Sequence, residues 1–165
     1  RQGYEMMVIP FLHDVEDLCG KVEAYLAARK AAGYDPLTAR IVAAYHIYVG
    51  ENAAEARSSG SMGVMEYIET AAAGHKLTPQ LDDPESFQSH HAHRAAMKTL
   101  GYHDLLERRR VVVGTPAEVR DQLGYLRERL HLTDVAGLFA LGGLTDARVR
   151  ASMRRFMEDV APHVK

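Results

Sequence analysis

Apolar positions along the chain fall into two alternating patterns. Tyr4–Phe11 (YEMMVIPF) is an unbroken apolar run stopped at Pro10, as expected of a strand buried on both faces. After Asp14, a candidate N-cap, Val15, Leu18, Val22, Tyr25 and Leu26 recur at helical spacing until Gly33 and Pro36 end the helix. Arg40–Gly50 (RIVAAYHIYVG), rich in β-branched and aromatic residues, reads as a second strand. ENAAEAR starts a second helix, which SSGSMG (Ser58–Gly63) should weaken before VMEYIETAAAG resumes the pattern. From Gly74 to about Gln88 the text is polar and turn-rich, a long loop of the kind that often forms a lid. A helix around Ala92–Arg109 follows, with an interruption expected near Gly101.

The last third is more regular. VVVGTPAEVRDQL gives a short extended stretch and a marked helix start, with Thr115 as N-cap, Pro116 at the first helical position and Glu118 completing a capping box. Val119, Leu123, Leu126 and Leu130 form the apolar stripe of that helix. A third strand is expected at about Val135–Leu141. A final helix follows in which Val149, Met153, Phe156, Met157 and Val160 face inward, closed by Pro162. The order β-α-β-α-β-α argues for an α/β fold with a parallel sheet. Three parallel strands alone leave two open edges and too little cover, so the sheet reads as a portion of a closed (β/α)8 barrel.

Composition narrows the function classes. With 47% apolar residues in 165, the chain suits one globular domain over 1–165. Lys plus Arg number 20 against 22 for Asp plus Glu, a net charge of −2, so nothing in the charge invites nucleic acid or an anionic membrane. No apolar run reaches membrane-spanning length. The densest basic spot, Arg108–Arg110, is expected to complement a helix dipole or face water. The single Cys19 cannot form an internal disulfide, which suits a reducing cytosol, and reads as a buried structural thiol. The chain opens on Arg1 and enters a strand almost at once, as a piece of a longer protein would.

Candidate chemistry is sparse. His90, His91 and His93 in SHHAHRAAM invite a metal, but no nearby carboxylate or cysteine completes a ligand set, which favours a polar helix start. His46, between Tyr45 and Tyr48 of the second strand, is expected to be packed and hydrogen-bonded. There is no nucleophile elbow, Walker loop or full GxGxxG. LFALGGLTDAR (138–148) does join a strand, two glycines and a helix start, the parts of a phosphate cradle. Asp146 in the first turn after the Thr145 N-cap would repel an anion there. What remains is bare backbone at the carboxyl end of a strand, the face where barrel enzymes keep their sites.

VGTPAEVRDQL, DVAGLFALGGL and RASMRRFMEDVAPHVK together resemble the tail of the luciferase-like monooxygenases. GYEMMVIPF with KVEAYLAARKAAGYDP is similar to the sixth strand and helix of that barrel, and RIVAAYHIYVGENAAEAR to its seventh strand and the helix after it. The resemblance covers essentially the whole chain, with wording closest to members of natural-product biosynthesis. It implies the carboxyl-terminal part of a (β/α)8 barrel that uses reduced FMN and O₂ to oxygenate a small organic substrate. A flavin reductase would supply the reduced flavin; a sister group uses F420. It also implies that the catalytic and phosphate-binding groups lie on strands one to five, so the chain alone should be inactive. Pro10, Tyr67, Gly142 and Gly143 match positions near the flavin or substrate, and about 74–109 matches a lid. A homodimer, pairing with the other barrel half, a non-catalytic flavin-binding or half-barrel interaction module, or an F420-dependent oxidoreductase all remain open.

Overall fold

The computed structural model describes residues 3–74 and 99–164. Its elements are β1 (Met6–Val8), α1 (Val15–Ala31), β2 (Ile41–Val49), α2 (Ala53–Gly74), α3 (Tyr102–Glu107), β3 (Val112–Gly114), α4 (Pro116–Leu130), β4 (Asp134–Leu138) and α5 (Asp146–Arg155). Most of the expected lid, and His90, His91 and His93, lie outside the described residues.

The sheet is parallel and centred on β2. Met7 aligns with Val42 on one edge of β2 and Asp134 aligns with the same Val42 on the other, so β1 and β4 flank it. The short β3, read from sequence only as an extended stretch, pairs with the carboxyl end of β2 at Ile47–Val49. Parallel strands cannot be joined by tight turns, so α1 and α4 serve as crossovers and bring their apolar stripes onto one face. There the odd-numbered residues of β2, Ile41 to Val49, pack with Val15, Leu18 and Val22 of α1 and Val119, Leu123, Leu126 and Leu130 of α4. Cys19 is buried in this layer, and its Sγ–H donates to the Arg129 carbonyl at 3.4 Å.

Among the described residues, the opposite face is covered only near its carboxyl end, where α2 lies over Tyr48, Phe11, Val113 and Leu141. Elsewhere it stands open: Met7 is 59% exposed, Ile9 58% and Leu138 43%. The first strand is therefore shorter and less buried than its apolar run suggested. Pro10 turns the chain into a 3-10 turn, Pro10–Leu12, two residues beyond the end of β1.

Other expectations need correction. SSGSMG does not interrupt α2, which runs unbroken from Ala53 to Gly74. A Cβ on Gly60 would collide with Val113, and one on Gly63 would stand 2.9 Å from Leu141 Cβ, so these glycines let the helix approach β3 and the β4 exit. In the final helix Met153 and Met157 are exposed, while Ser152 and Val160 are buried. A π-helical turn at Phe156–Val160 shifts the phase that an ideal 3.6-residue period predicts. β4 ends at Leu138, three residues short of the expected strand.

The basic run is only partly solvated, with Arg108 exposed and Arg109 half-buried. Arg110 is buried and bonds to Asp14 at 2.7 Å, Arg108 reaches the same carboxylate at 3.4 Å, and Arg109 stacks 4.1 Å over the Tyr125 ring. Asp14 holds the N-cap position of α1 without a side-chain capping bond and serves these arginines instead. Thr115 and Glu118 do form the expected capping box.

Gly60→Ala and Gly63→Ala should each destabilise the fold by ~1–3 kcal/mol through overpacking. Gly20→Ala, on the exposed side of α1 with open space at its Cβ, should stabilise it by ~0.5–1 kcal/mol. Urea unfolding of the three variants checks both signs.

Candidate site at the carboxyl ends of the strands

Strand alternation places Val42, Ala44, His46 and Tyr48 on the β2 face turned away from α1 and α4. His46 is 3% exposed and lies between two rings. Phe11, carried by the turn that Pro10 opens, is 4.6 Å away at 50°, and Tyr67 of α2 is 4.3 Å away at 54°. Phe11 and Tyr67 themselves meet edge to face at 5.5 Å. Leu138 of β4 aligns with His46 in the sheet. The histidine is packed as expected but not hydrogen-bonded: among the described residues neither ring nitrogen has a partner. Burial disfavours its charged form and pushes its pKa down to about 4, so the imidazole is neutral at physiological pH.

The glycine turn closes the same neighbourhood. A Cβ on Gly142 would come within 2.9 Å of the Tyr67 amide nitrogen, and one on Gly143 would strike the Glu66 carboxylate. Gly143 also has φ +65°, a left-handed conformation that side chains resist. The bare backbone at the β4 exit thus lies directly against α2. Thr145 caps α5 by accepting from the Arg148 amide, and Asp146 pairs with Arg150 at 2.7 Å. Two carboxylates, Glu66 and Asp146, flank the turn, which gives an anion no welcome there.

A polar lock sits about three turns nearer the start of α2. Tyr48 donates its hydroxyl proton to Glu55, which also accepts from the Glu51 amide at 3.1 Å, while Asn52 accepts from the Ala54 and Glu55 amides and caps the helix. Burial alone would raise the Glu55 carboxyl, but the bonds from Tyr48, Ser59 and Glu51 hold it below its ordinary value. Burial and the same bond to Glu55 raise Tyr48. Across the strand end, the Val49 amide donates to Ser152 Oγ at 2.8 Å, and Arg155 reaches the Val49 carbonyl at 3.3 Å. These contacts fix where β2 stops and α2 begins.

The structure therefore gathers the four sequence-predicted positions. Pro10 sets the turn that carries Phe11, Tyr67 touches Phe11 and His46, and Gly142 and Gly143 lie against Glu66 and Tyr67. Sequence reasoning missed Phe11, the unpartnered state of His46 and the Tyr48–Glu55 lock. The position of Phe11 immediately after a strand-ending proline was the available signal for the first. Among the described residues no group of three His, Cys, Asp or Glu is placed to hold a metal ion, and no helix is long and apolar enough to cross a membrane.

The family model for luciferase-like monooxygenases matches residues 1–133. Among solved structures, the chain is similar to monooxygenase RslO1 from Streptomyces bottropensis at 25% identity and a TM-score of 0.68, covering 99% of this chain and 43% of that one. It also resembles the oxygenating constituent of 3,6-diketocamphane monooxygenase from Pseudomonas putida, solved in complex with FMN (17%, TM-score 0.63, 96% and 42%). A third is EDTA monooxygenase from Chelativorans sp. BNC1 (19%, 0.61, 97% and 39%). The chain thus spans less than half the length of these structures. No curated protein sequence is significantly similar to it.

The depressed His46 pKa carries a pH dependence. The unfolded chain takes up this proton below about pH 6.5 and the folded chain excludes it until about pH 4, so the fold should lose up to ~3 kcal/mol as pH falls through that window. His46→Phe should remove this contribution and, by deleting two unpaired buried nitrogens, add ~1–2 kcal/mol at pH 7. Guanidinium melts of both proteins at pH 7 and pH 5 measure it.

Proposed function

The chain belongs to the luciferase-like monooxygenase family, and from that premise we propose that it forms strands six to eight, with their helices, of a (β/α)8 flavin-dependent monooxygenase. The observation that carries this reading is the sheet's second face. Parallel sheets are stable when both faces are covered, yet Met7, Ile9 and Leu138 stand exposed beside Val42 on the face away from the helices. Both flanking strands, β1 and β4, also pair on one side only among the described residues. Strands one to five would occupy those edges, close the barrel and make the exposed face its interior.

The residues at the carboxyl ends fit a flat, uncharged ring, of flavin or of substrate, better than a phosphate. Phe11, His46 and Tyr67 offer uncharged surface, whereas Glu66 and Asp146 oppose an anion at the glycine turn. Reduced FMN, when bound, supplies the electrons that activate O₂ for transfer of an oxygen atom to a small organic substrate. This chain's share is placement and dryness: Pro10 positions Phe11, Phe11 and Tyr67 exclude water from the strand ends, and Gly142 and Gly143 let backbone come close. The segment at about 74–109 acts as the lid, with a flavin reductase supplying the cofactor in the cytosol. The wording shared with biosynthetic members favours a role in natural-product synthesis.

Reduced FMN, O₂ and a candidate substrate supplied to the chain alone should give no substrate-dependent turnover. The same chain joined to the preceding five strands should bind FMN and turn over. Turnover by the chain alone would overturn the assignment of the essential groups to the earlier strands.

A further inference from the structure

His46 combines features that packing does not explain. It is buried, neutral, and unpartnered at both ring nitrogens, although a buried polar group normally finds a partner. A phenylalanine would fill the same space without that penalty. The two rings that clasp it differ in how they are held. Phe11 is buried and fixed by the turn at Pro10–Leu12, and it packs with Val111, Val113 and Leu141. Tyr67 is only half-buried, and among the described residues it makes ring contacts and no hydrogen bond. The lower part of α2 is locked by Tyr48–Glu55 and by the close approaches at Gly60 and Gly63, so the Tyr67 ring can leave by side-chain rotation while its helix stays in place.

We propose that Tyr67 is a placeholder for a substrate ring, and that His46 recognises, through a hydrogen bond, a carbonyl or hydroxyl oxygen on a flat, uncharged substrate that takes the place of the Tyr67 ring. The exchange trades one aromatic contact for another against Phe11 and His46, so it loses little packing. It gains a hydrogen bond for an imidazole that now has none, and a neutral imidazole can donate at one nitrogen and accept at the other. The nearest ionisable neighbours set the charge preference. Glu66 adjoins Tyr67 in sequence and has no ion-pair partner among the described residues, whereas Asp146 is paired with Arg150 and Glu55 is bonded by Tyr48. Among the described residues no cation is bonded to any member of the clasp, so a carboxylate or phosphate substrate finds nothing there to pair with. The inference rests on the barrel-interior reading of this face.

The test is ¹⁵N NMR of the His46 ring nitrogens in this chain, titrated with 2-naphthol, naphthalene, 2-naphthoate and lumiflavin. The expected result is a ring-nitrogen shift with 2-naphthol, absent with naphthalene and 2-naphthoate. Affinity for 2-naphthol should exceed that for naphthalene by about tenfold, the worth of one net hydrogen bond. His46→Phe should stay folded and lose that preference. Tyr67→Ala should bind 2-naphthol several-fold more tightly, whereas a purely structural tyrosine would leave binding weaker or unchanged.

A His46 signal silent to 2-naphthol would overturn the proposal, as would an equal response to 2-naphthoate. A response to lumiflavin alone would also overturn it, because the seat would then be the cofactor's. Each of these results leaves the family's oxygenase chemistry to be judged separately by turnover of the joined barrel, so the two readings fail independently.

Discussion

Every strand described in this chain hydrogen-bonds to β2, and that dependence organises the rest of the structure. β1 and β4 take its two edges at the amino end, and β3 takes its carboxyl end. Because successive side chains of a strand point to opposite faces, one nine-residue segment sets two environments. Its odd residues anchor α1 and α4 in the main core, while its even residues carry the chemistry-bearing face. A one-residue slip of β2 would bury His46 among the helices and expose Tyr45 and Ile47 on the other side.

The site grows from the end of that strand. Ser152 and Arg155 hold Val49, Glu55 holds Tyr48, and Asn52 starts α2 immediately beyond. Small residues along α2 then let it lie close to Val113 and Leu141, so that four turns later Tyr67 reaches back over His46. The glycines at the β4 exit belong to the same arrangement: their missing side chains admit Glu66 and the Tyr67 backbone. A phosphate-like motif in the sequence is thus, in three dimensions, a helix–turn contact beside an aromatic clasp.

Much of the architecture was legible because it is written locally. The capping box at Thr115–Glu118, the apolar stripe of α4 and the β-branched run of β2 each specify their element through contacts within a few residues. The failures share a different cause. SSGSMG looks like a helix breaker by propensity, yet tertiary packing rewards its lack of side chains. At the end of the last helix, Met157 was misread because a π turn at Phe156–Val160 changes the period. Arg109 and Arg110 looked like solvated charge because their partners, Tyr125 and Asp14, lie far away in sequence or on another element.

The sequence by itself determined the alternation of strands and helices and the family, and it singled out Pro10, Tyr67, Gly142 and Gly143, which the fold brings to one end of the sheet. Periodicity, capping and turn chemistry act over short distances, and several such signals in order identify a fold. Only the tertiary structure decided that His46 is buried without a hydrogen-bond partner between Phe11 and Tyr67, and that one face of the sheet remains open. Those properties depend on which surfaces meet after the chain has folded. Burial and hydrogen-bond satisfaction belong to pairs of residues distant in sequence, and no local pattern encodes them.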